Sequence, residues 1–177
     1  MLRMVEELKA RNENFKIEDL TTNEAFVSAT IQATRIAAST HKEEKRKILR
    51  NALLNIALGT GPDEDTQQIF LSIVEGFTAS HVRVLDVLWR GAGMMARSKL
   101  WDQSGTPISH RNYGAAIGLL VPELKGQNAL VEYILTDLRS RGFTQLNALS
   151  NSFPQGGTIT NMGIQFMRFV LDPSDPI

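Results

Sequence analysis

The chain contains no cysteine, so disulfide bonds, thiolate nucleophiles and cysteine-ligated zinc or iron–sulfur sites are excluded. Net charge is absent too, because 19 Lys and Arg residues balance 19 Asp and Glu residues. A balanced chain lacks the broad electrostatic attraction on which most nucleic-acid-binding proteins depend. Any contact with a polyanion would therefore be local, and a reducing, cytoplasmic location is expected.

The sequence also lacks an apolar run long enough for a signal peptide or a membrane span. We therefore expect no membrane contact from this segment. The 177 residues with 42% hydrophobic content are sufficient for a core. Residues 2–12 are predicted to form a short helix that begins without a cap, which suggests further chain upstream in the natural protein.

Helices are predicted throughout the first half of the chain. Thr21 and Glu24 have the spacing of a capping box, which would start a helix there. A second helix is predicted from about His41 to a stop at Gly59. Asn51 and Asn55 share one face of that helix, where they would bind a neighbouring loop or contact a partner.

The sequence from Pro62 onward predicts two more helices. Pro62 is followed by the carboxylates of Asp63, Glu64 and Asp65, which would oppose the positive end of the helix dipole. A metal site is the alternative for these carboxylates, although consecutive positions on a helix point in different directions. Ser80 is predicted to cap the next helix, which would end at Gly91 and Gly93.

Residues 127–171 carry the pattern on which the fold prediction depends. Apolar residues recur at helical spacing before a stop at Gly142, namely Leu130, Val131, Ile134, Leu135 and Leu138. A turn at 154–157 and a closing apolar helix follow. A helix, a two-stranded ribbon and a closing helix in this order resemble the distal half of a winged helix-turn-helix domain. Its three helices would be 80–90, 109–120 and 128–140.

The predicted fold class is mainly α. An N-terminal helical bundle, residues 1–77, is expected to pack on a winged-helix-like C-terminal half with a small two-stranded β-ribbon, residues 78–172. Residues 173–177 would be a tail. One compact unit is favoured over two independent domains, because no flexible linker is visible between the helices.

Two groups of basic residues are candidates for binding nucleic acid. Arg139 and Arg141 lie at the end of the third helix of the winged-helix pattern, beside Glu132 and Asp137, whose negative charges oppose contact with phosphates. The densest group lies within residues 41–50 and contains Lys42, Lys45, Arg46 and Arg50. Glutamates within the same stretch compensate much of this charge, so a solvated helix face is the simpler interpretation.

A protein interface is the other candidate. Met94, Met95 and Trp101 are soft or aromatic residues that would form a partner surface if exposed, and Tyr133 lies on the polar face of the third helix.

No pattern of an enzyme, a metal site or a cofactor site is present. His41, His81 and His110 do not have the spacing of a zinc protease, and the glycines lack the lysine of a phosphate-binding loop. His81 is most simply a residue of a helix's first turn. A pocket lined by His81 or His110 together with two carboxylates would revive an enzymatic hypothesis.

Four stretches resemble an uncharacterised family of bacterial helical proteins: 23–27, 44–55, 62–65 and 68–71. The resemblance covers roughly residues 20–90. It implies a bacterial, cytoplasm-facing helical module, suggests phage defence as a working hypothesis and assigns no catalytic residue.

Two functions follow from these observations. The first is a non-enzymatic protein-interaction or regulatory module with a protein partner or self-association. The alternative is a winged-helix DNA-binding transcriptional regulator, supported by the predicted topology and by Arg139, Arg141 and the glycines of the 154–157 turn.

Overall fold

The computed structural model describes residues 17–98, 113–146 and 158–174. The described residues form two compact units. One contains those up to Thr78 together with those from Arg168 onward, and the other contains those between Ala79 and Met167. Residues 2–12, Trp101, Ser109, His110 and the predicted turn at 154–157 lie outside the described residues.

The first unit is built from helices α1 (Ile17–Thr21), α2 (Glu24–Ala38), α3 (Glu43–Ala57) and α4 (Glu64–Gly76). Its core consists of the apolar faces of α2, α3 and α4 with Phe77 and the end of the chain's last helix, including Phe70 and Phe169 at a ring-centroid distance of 5.6 Å. Ala29 and Ala33 are buried on α2, where small side chains allow close helix packing. Gln32 Nε2 donates to Ser72 Oγ at 3.2 Å between α2 and α4.

The helix starts in this unit differ from the predicted ones. Asn23, rather than Thr21, caps α2: its Oδ1 accepts from Phe26 N at 3.0 Å, while Thr21 ends α1. Asp63 caps α4 and accepts from Thr66 N at 3.1 Å, so its carboxylate serves the helix start.

The second unit contains α5 (Ala79–Ser98), α6 (Tyr113–Leu120), a 3-10 turn (Pro122–Leu124) and α7 (Asn128–Ser140), followed by most of α8 (Asn161–Val170). Helix α5 packs against α6 and α7. The predicted bounds of α7 are confirmed, and Gly142 follows it with φ of 76°.

The prediction for α5 was wrong at both ends. The helix begins at Ala79, so Ser80 lies in its first turn, and it continues through Gly91 and Gly93 to Ser98. Glycine costs a helix interior about 1 kcal/mol but does not end it. A glycine stop uses the left-handed conformation, which Gly59, Gly126 and Gly142 adopt.

The mainly α class is confirmed, but the predicted two-stranded ribbon is not found in the described residues. They contain an isolated antiparallel bridge between Thr144 and Ile159, with no strand. Gln145 N donates to Thr158 O at 3.1 Å and Thr160 N donates to Phe143 O at 3.0 Å. Beside this bridge the Phe143 and Phe166 rings stack with centroids 4.7 Å apart, and α8 begins at Asn161.

Candidate interaction surface

One side of α7 and its C-cap residue carries four side chains at helical spacing that border the buried row of the helix. They are Leu130, Tyr133, Asp137 and Arg141, and we call them the α7 surface. Tyr133 is 64% exposed and Leu130 is 41% exposed. Leu130 was predicted to belong to the apolar stripe, but it lies at the edge of that stripe, where solvent reaches it.

A buried histidine of α5 supports this surface. His81 is only 4% exposed, and its ring meets the Tyr133 ring edge-on, with centroids 6.3 Å apart and planes at 82°. The Nε2 atom of His81 lies 3.5 Å from Asp137 Oδ2. This contact between two helices orients both the tyrosine ring and the carboxylate.

Asp137 also accepts hydrogen bonds from a residue at the end of its own helix. Arg141 Nε donates to both carboxylate oxygens of Asp137, at 3.1 and 3.2 Å, across one helical turn. Arg141 is half-buried, so its guanidinium is part of the α7 surface rather than an isolated positive charge. Of the two arginines predicted to bind nucleic acid here, Arg139 is the exposed one.

Other charged residues of the second unit are paired in the same way. Arg83 forms an ion pair with Glu123, and Arg90 Nε and Nη2 donate to the two carboxylate oxygens of Asp86 at 2.6 and 2.8 Å. Paired charges of this kind reduce the field that a polyanion would meet.

The densest basic group of the sequence lies on the first turns of α3. We call Lys42, Lys45, Arg46 and Arg50 the basic segment. Arg46 donates to Thr40 O at 2.8 Å and Lys45 Nζ donates to Glu75 O at 2.6 Å. Both cations thus bind main-chain carbonyls, and Lys45 does so at the C-terminal end of α4, where positive charge is favourable.

The remaining members of the basic segment have different surroundings. Lys42 is exposed at the N-cap position of α3, and Arg50 is half-buried. Burial lowers the pKa of Lys45 from the ordinary lysine value, and the Glu75 carboxylate acts in the opposite direction. The Glu75 carboxylate also lies 3.5 Å from Arg35 Nη2. Negative charge is therefore present beside these basic residues.

The predicted interface residues are not brought together by described contacts. Met94 and Met95 lie in α5, but their side chains are outside the description, as is Trp101. Only Tyr133 can be placed, and it is strongly exposed.

Asn51 and Asn55 bind backbone groups within their own unit. Asn55 Nδ2 donates to the carbonyls of Phe169 and Leu171, both at 3.0 Å, and Asn51 Nδ2 donates to Val170 O at 3.2 Å. These are carbonyls at the C-terminal end of α8, which have no partner within the helix. The sequence left open a bond to a neighbouring loop or a contact with a partner, and the structure instead shows both amides bound to the C-terminal end of α8.

Sequence reasoning missed the association of His81 with α7. The Asp137–Arg141 pair has a sequence signal, because opposite charges four residues apart on a helix can meet. The contact from His81 has none, since 56 residues separate it from Asp137. The carboxylate beside the histidine also binds an arginine, so the three side chains form one contact network.

Among the described residues, no group of three or more His, Asp or Glu side chains is arranged to hold a metal ion. In residues 17–98, 113–146 and 158–174, no helix combines the length and hydropathy that crossing a membrane requires.

No protein-family model, curated protein or solved structure matches the chain. Functional inference therefore depends on the geometry of the chain's own residues.

Proposed function

We propose that the chain is a non-enzymatic, bacterial protein-interaction module that binds a protein partner through the α7 surface. The observation that carries this proposal is the side chain of Tyr133, which is 64% exposed yet packed edge-on against buried His81. Tyrosine is enriched at protein interfaces because its ring offers apolar area and its hydroxyl offers a hydrogen bond.

The way in which Tyr133 is held favours binding. A ring already fixed by a neighbour loses less conformational freedom when a partner covers it. Leu130, one turn earlier on α7, adds exposed apolar area beside it. The Asp137–Arg141 pair at the other end provides polar groups whose charges are already balanced, as is typical of the rim of an interface.

The charge distribution supports a protein partner over a polyanion. Arg141, Lys45 and Arg46 each bind an acceptor within the fold. Releasing such a group to contact phosphate would sacrifice the existing hydrogen bond. Phage defence, suggested by the family resemblance, is the cellular context in which we would look for the partner.

The test uses a photo-crosslinking amino acid at position 133 of the full chain, expressed in a bacterial host before and after phage infection. A discrete crosslinked protein, identified by mass spectrometry, is expected at position 133. The matched control places the crosslinker at Glu132, which is exposed on the same helix but about 100° around it.

The comparison of crosslinking at positions 133 and 132 decides the outcome. An adduct formed at 133, absent at 132 and reduced by Leu130→Ala supports the proposal. Equal patterns at the two positions, or no adduct at 133 under either condition, would overturn it.

A DNA-binding transcriptional regulator is the second candidate, favoured by one observation. Helices α5, α6 and α7 precede an antiparallel bridge in the order of a winged helix-turn-helix domain. Exposed Arg139 lies on the helix that would enter the major groove. Selection of a preferred duplex from a random-sequence pool, abolished by Arg139→Ala but not by Arg46→Ala, would favour this candidate.

A further inference from the structure

Helix α2 exposes apolar side chains on the side opposite its core face. Its buried residues all lie on one side of the helix: Phe26, Ala29, Ala33 and Ile36. Val27 and Ile31, four positions apart, lie on the other side and are 39% and 67% exposed.

Charges of opposite sign flank this apolar pair. Glu24 precedes Val27 by three residues and Arg35 follows Ile31 by four, so all four share one exposed face. At the helical rise, Glu24 and Arg35 are about 16 Å apart. Arg35 reaches Glu75 at 3.5 Å, but its side chain is 70% exposed, and such exposed pairs are weak.

The spacing is self-complementary. The midpoint of Val27 and Ile31 and the midpoint of Glu24 and Arg35 both fall within one residue of Ala29. A two-fold axis near this point would place two α2 helices antiparallel. Val27 of each copy would then meet Ile31 of the other, and each Glu24 would face the other copy's Arg35.

We propose that the partner of this face is a second copy of the chain, bound through an antiparallel α2–α2 contact. Burial of Val27 and Ile31 supplies the attraction, and the Glu24–Arg35 charges select the antiparallel direction. One helix per copy is small for an interface, so we expect a reversible dimer with a Kd of roughly 1–100 µM.

This inference goes beyond the proposed function. Helix α2 belongs to the first unit and shares no residue with the α7 surface. Each experiment can therefore fail while the other succeeds.

The first test is sedimentation equilibrium of the full chain over a concentration series. Ile31→Glu is expected to weaken dimerisation by about 100-fold or more, because it buries an unpaired charge against the partner. The matched control is Leu119→Glu, which alters an apolar residue of the second unit that is 40% exposed. Circular dichroism verifies that both variants fold.

The second test uses the paired charges. Glu24→Arg is expected to weaken the dimer by roughly tenfold, because two symmetry-related pairs become repulsive. The double variant Glu24→Arg with Arg35→Glu should recover most of the lost affinity. An unrestored double variant would overturn the antiparallel charge assignment.

The third test exploits the absence of cysteine. Mixing Val27→Cys with Ile31→Cys chains should give more disulfide-linked dimer than either variant gives alone, since the antiparallel arrangement brings unlike positions together. A monomer at about 500 µM, well above the expected Kd, would overturn the proposal. A dimer that persists in the Ile31→Glu variant would also overturn the proposal, even if a different face of the protein forms it.

Discussion

The basic segment of α3 and the α7 surface both contain charged residues on helices, but they present different groups to solvent. In the basic segment, Lys45 and Arg46 bind the carbonyls of Glu75 and Thr40. In the α7 surface, Arg141 and Asp137 bind each other, and the ring of Tyr133 remains strongly exposed. Positive charge that is dense in a sequence can therefore be bound within the fold, while an aromatic residue on another helix remains exposed.

The largest expected loss of stability comes from a substitution in α8. Gly163 lies in α8, where an added Cβ would clash with the Phe143 carbonyl oxygen and the Ile159 side chain. Backbone cannot move aside easily, so Gly163→Ala is expected to lower the free energy of unfolding by about 3 kcal/mol. Urea denaturation measures this change.

Gly118→Ala is the matched control for that substitution. Gly118 is also helical, but its added Cβ would meet only the Lys125 Cα at 3.7 Å, an ordinary contact. Alanine favours helix over glycine by about 1 kcal/mol, so this variant should be neutral or stabilised. Equal destabilisation of both variants would contradict the packing described for α8.

The next-largest expected effect compares a substitution on the buried side of α3 with one on its exposed side. Asn55→Ala removes the donor amide from the buried carbonyl of Phe169 and the partly buried carbonyl of Leu171, and should cost about 2 kcal/mol in urea denaturation. Arg46→Ala, on the exposed side of the same helix, should cost less than about 1 kcal/mol. The reverse order would mean that the basic segment, rather than the asparagine pair, stabilises this region.

A smaller effect is expected from the α7 surface. Asp137→Asn keeps the size of the side chain but removes the negative charge facing Arg141 and His81. We expect a loss of about 1 kcal/mol in thermal or urea unfolding, because both contacts are partly exposed or long. The double variant Asp137→Asn with Arg141→Gln should lose less stability than the sum of the losses of the two single variants, since the two residues contact each other. Additive losses would contradict that coupling.

The smallest expected effect is a pH dependence outside both regions. Hydrogen bonds from the Thr66 side chain and backbone hold the pKa of the Asp63 carboxyl below its ordinary value. A lowered folded-state pKa stabilises the fold above the unfolded pKa, and this contribution is lost as pH falls through the folded value. Asp63→Asn should therefore flatten the acid side of the stability curve, measured by urea denaturation at a series of acidic pH values. An acid side as steep in Asp63→Asn as in the unsubstituted chain would contradict this assignment.

The limits of sequence reasoning are visible in the same elements. The bounds of α7 were predictable because apolar periodicity and Gly142 act locally. The end of α5 was not, because a glycine ends a helix only where the chain adopts a left-handed conformation. The pairing of Asn51 and Asn55 on one face was predictable, but the carbonyls that they bind lie more than 100 residues later.

The candidate site shows a similar division. Tyr133 was identified as exposed by its position on the polar face of a helix. Its support by His81 depends on tertiary packing between α5 and α7, for which the local sequence carries no signal. The hydrogen bond of Lys45 in the basic segment likewise depends on the carbonyl of Glu75, which comes from another helix.

The most direct test of the central claim is a titration of the full chain with generic duplex DNA, followed by fluorescence anisotropy across a salt series. If Lys45, Arg46 and Arg141 keep their acceptors within the fold, exposed Arg139 is too little positive charge to hold DNA, so binding should be weak at low salt and absent at about 150 mM salt. Saturable binding that persists at that salt concentration and is lost in Arg139→Ala or Arg46→Ala would contradict the account.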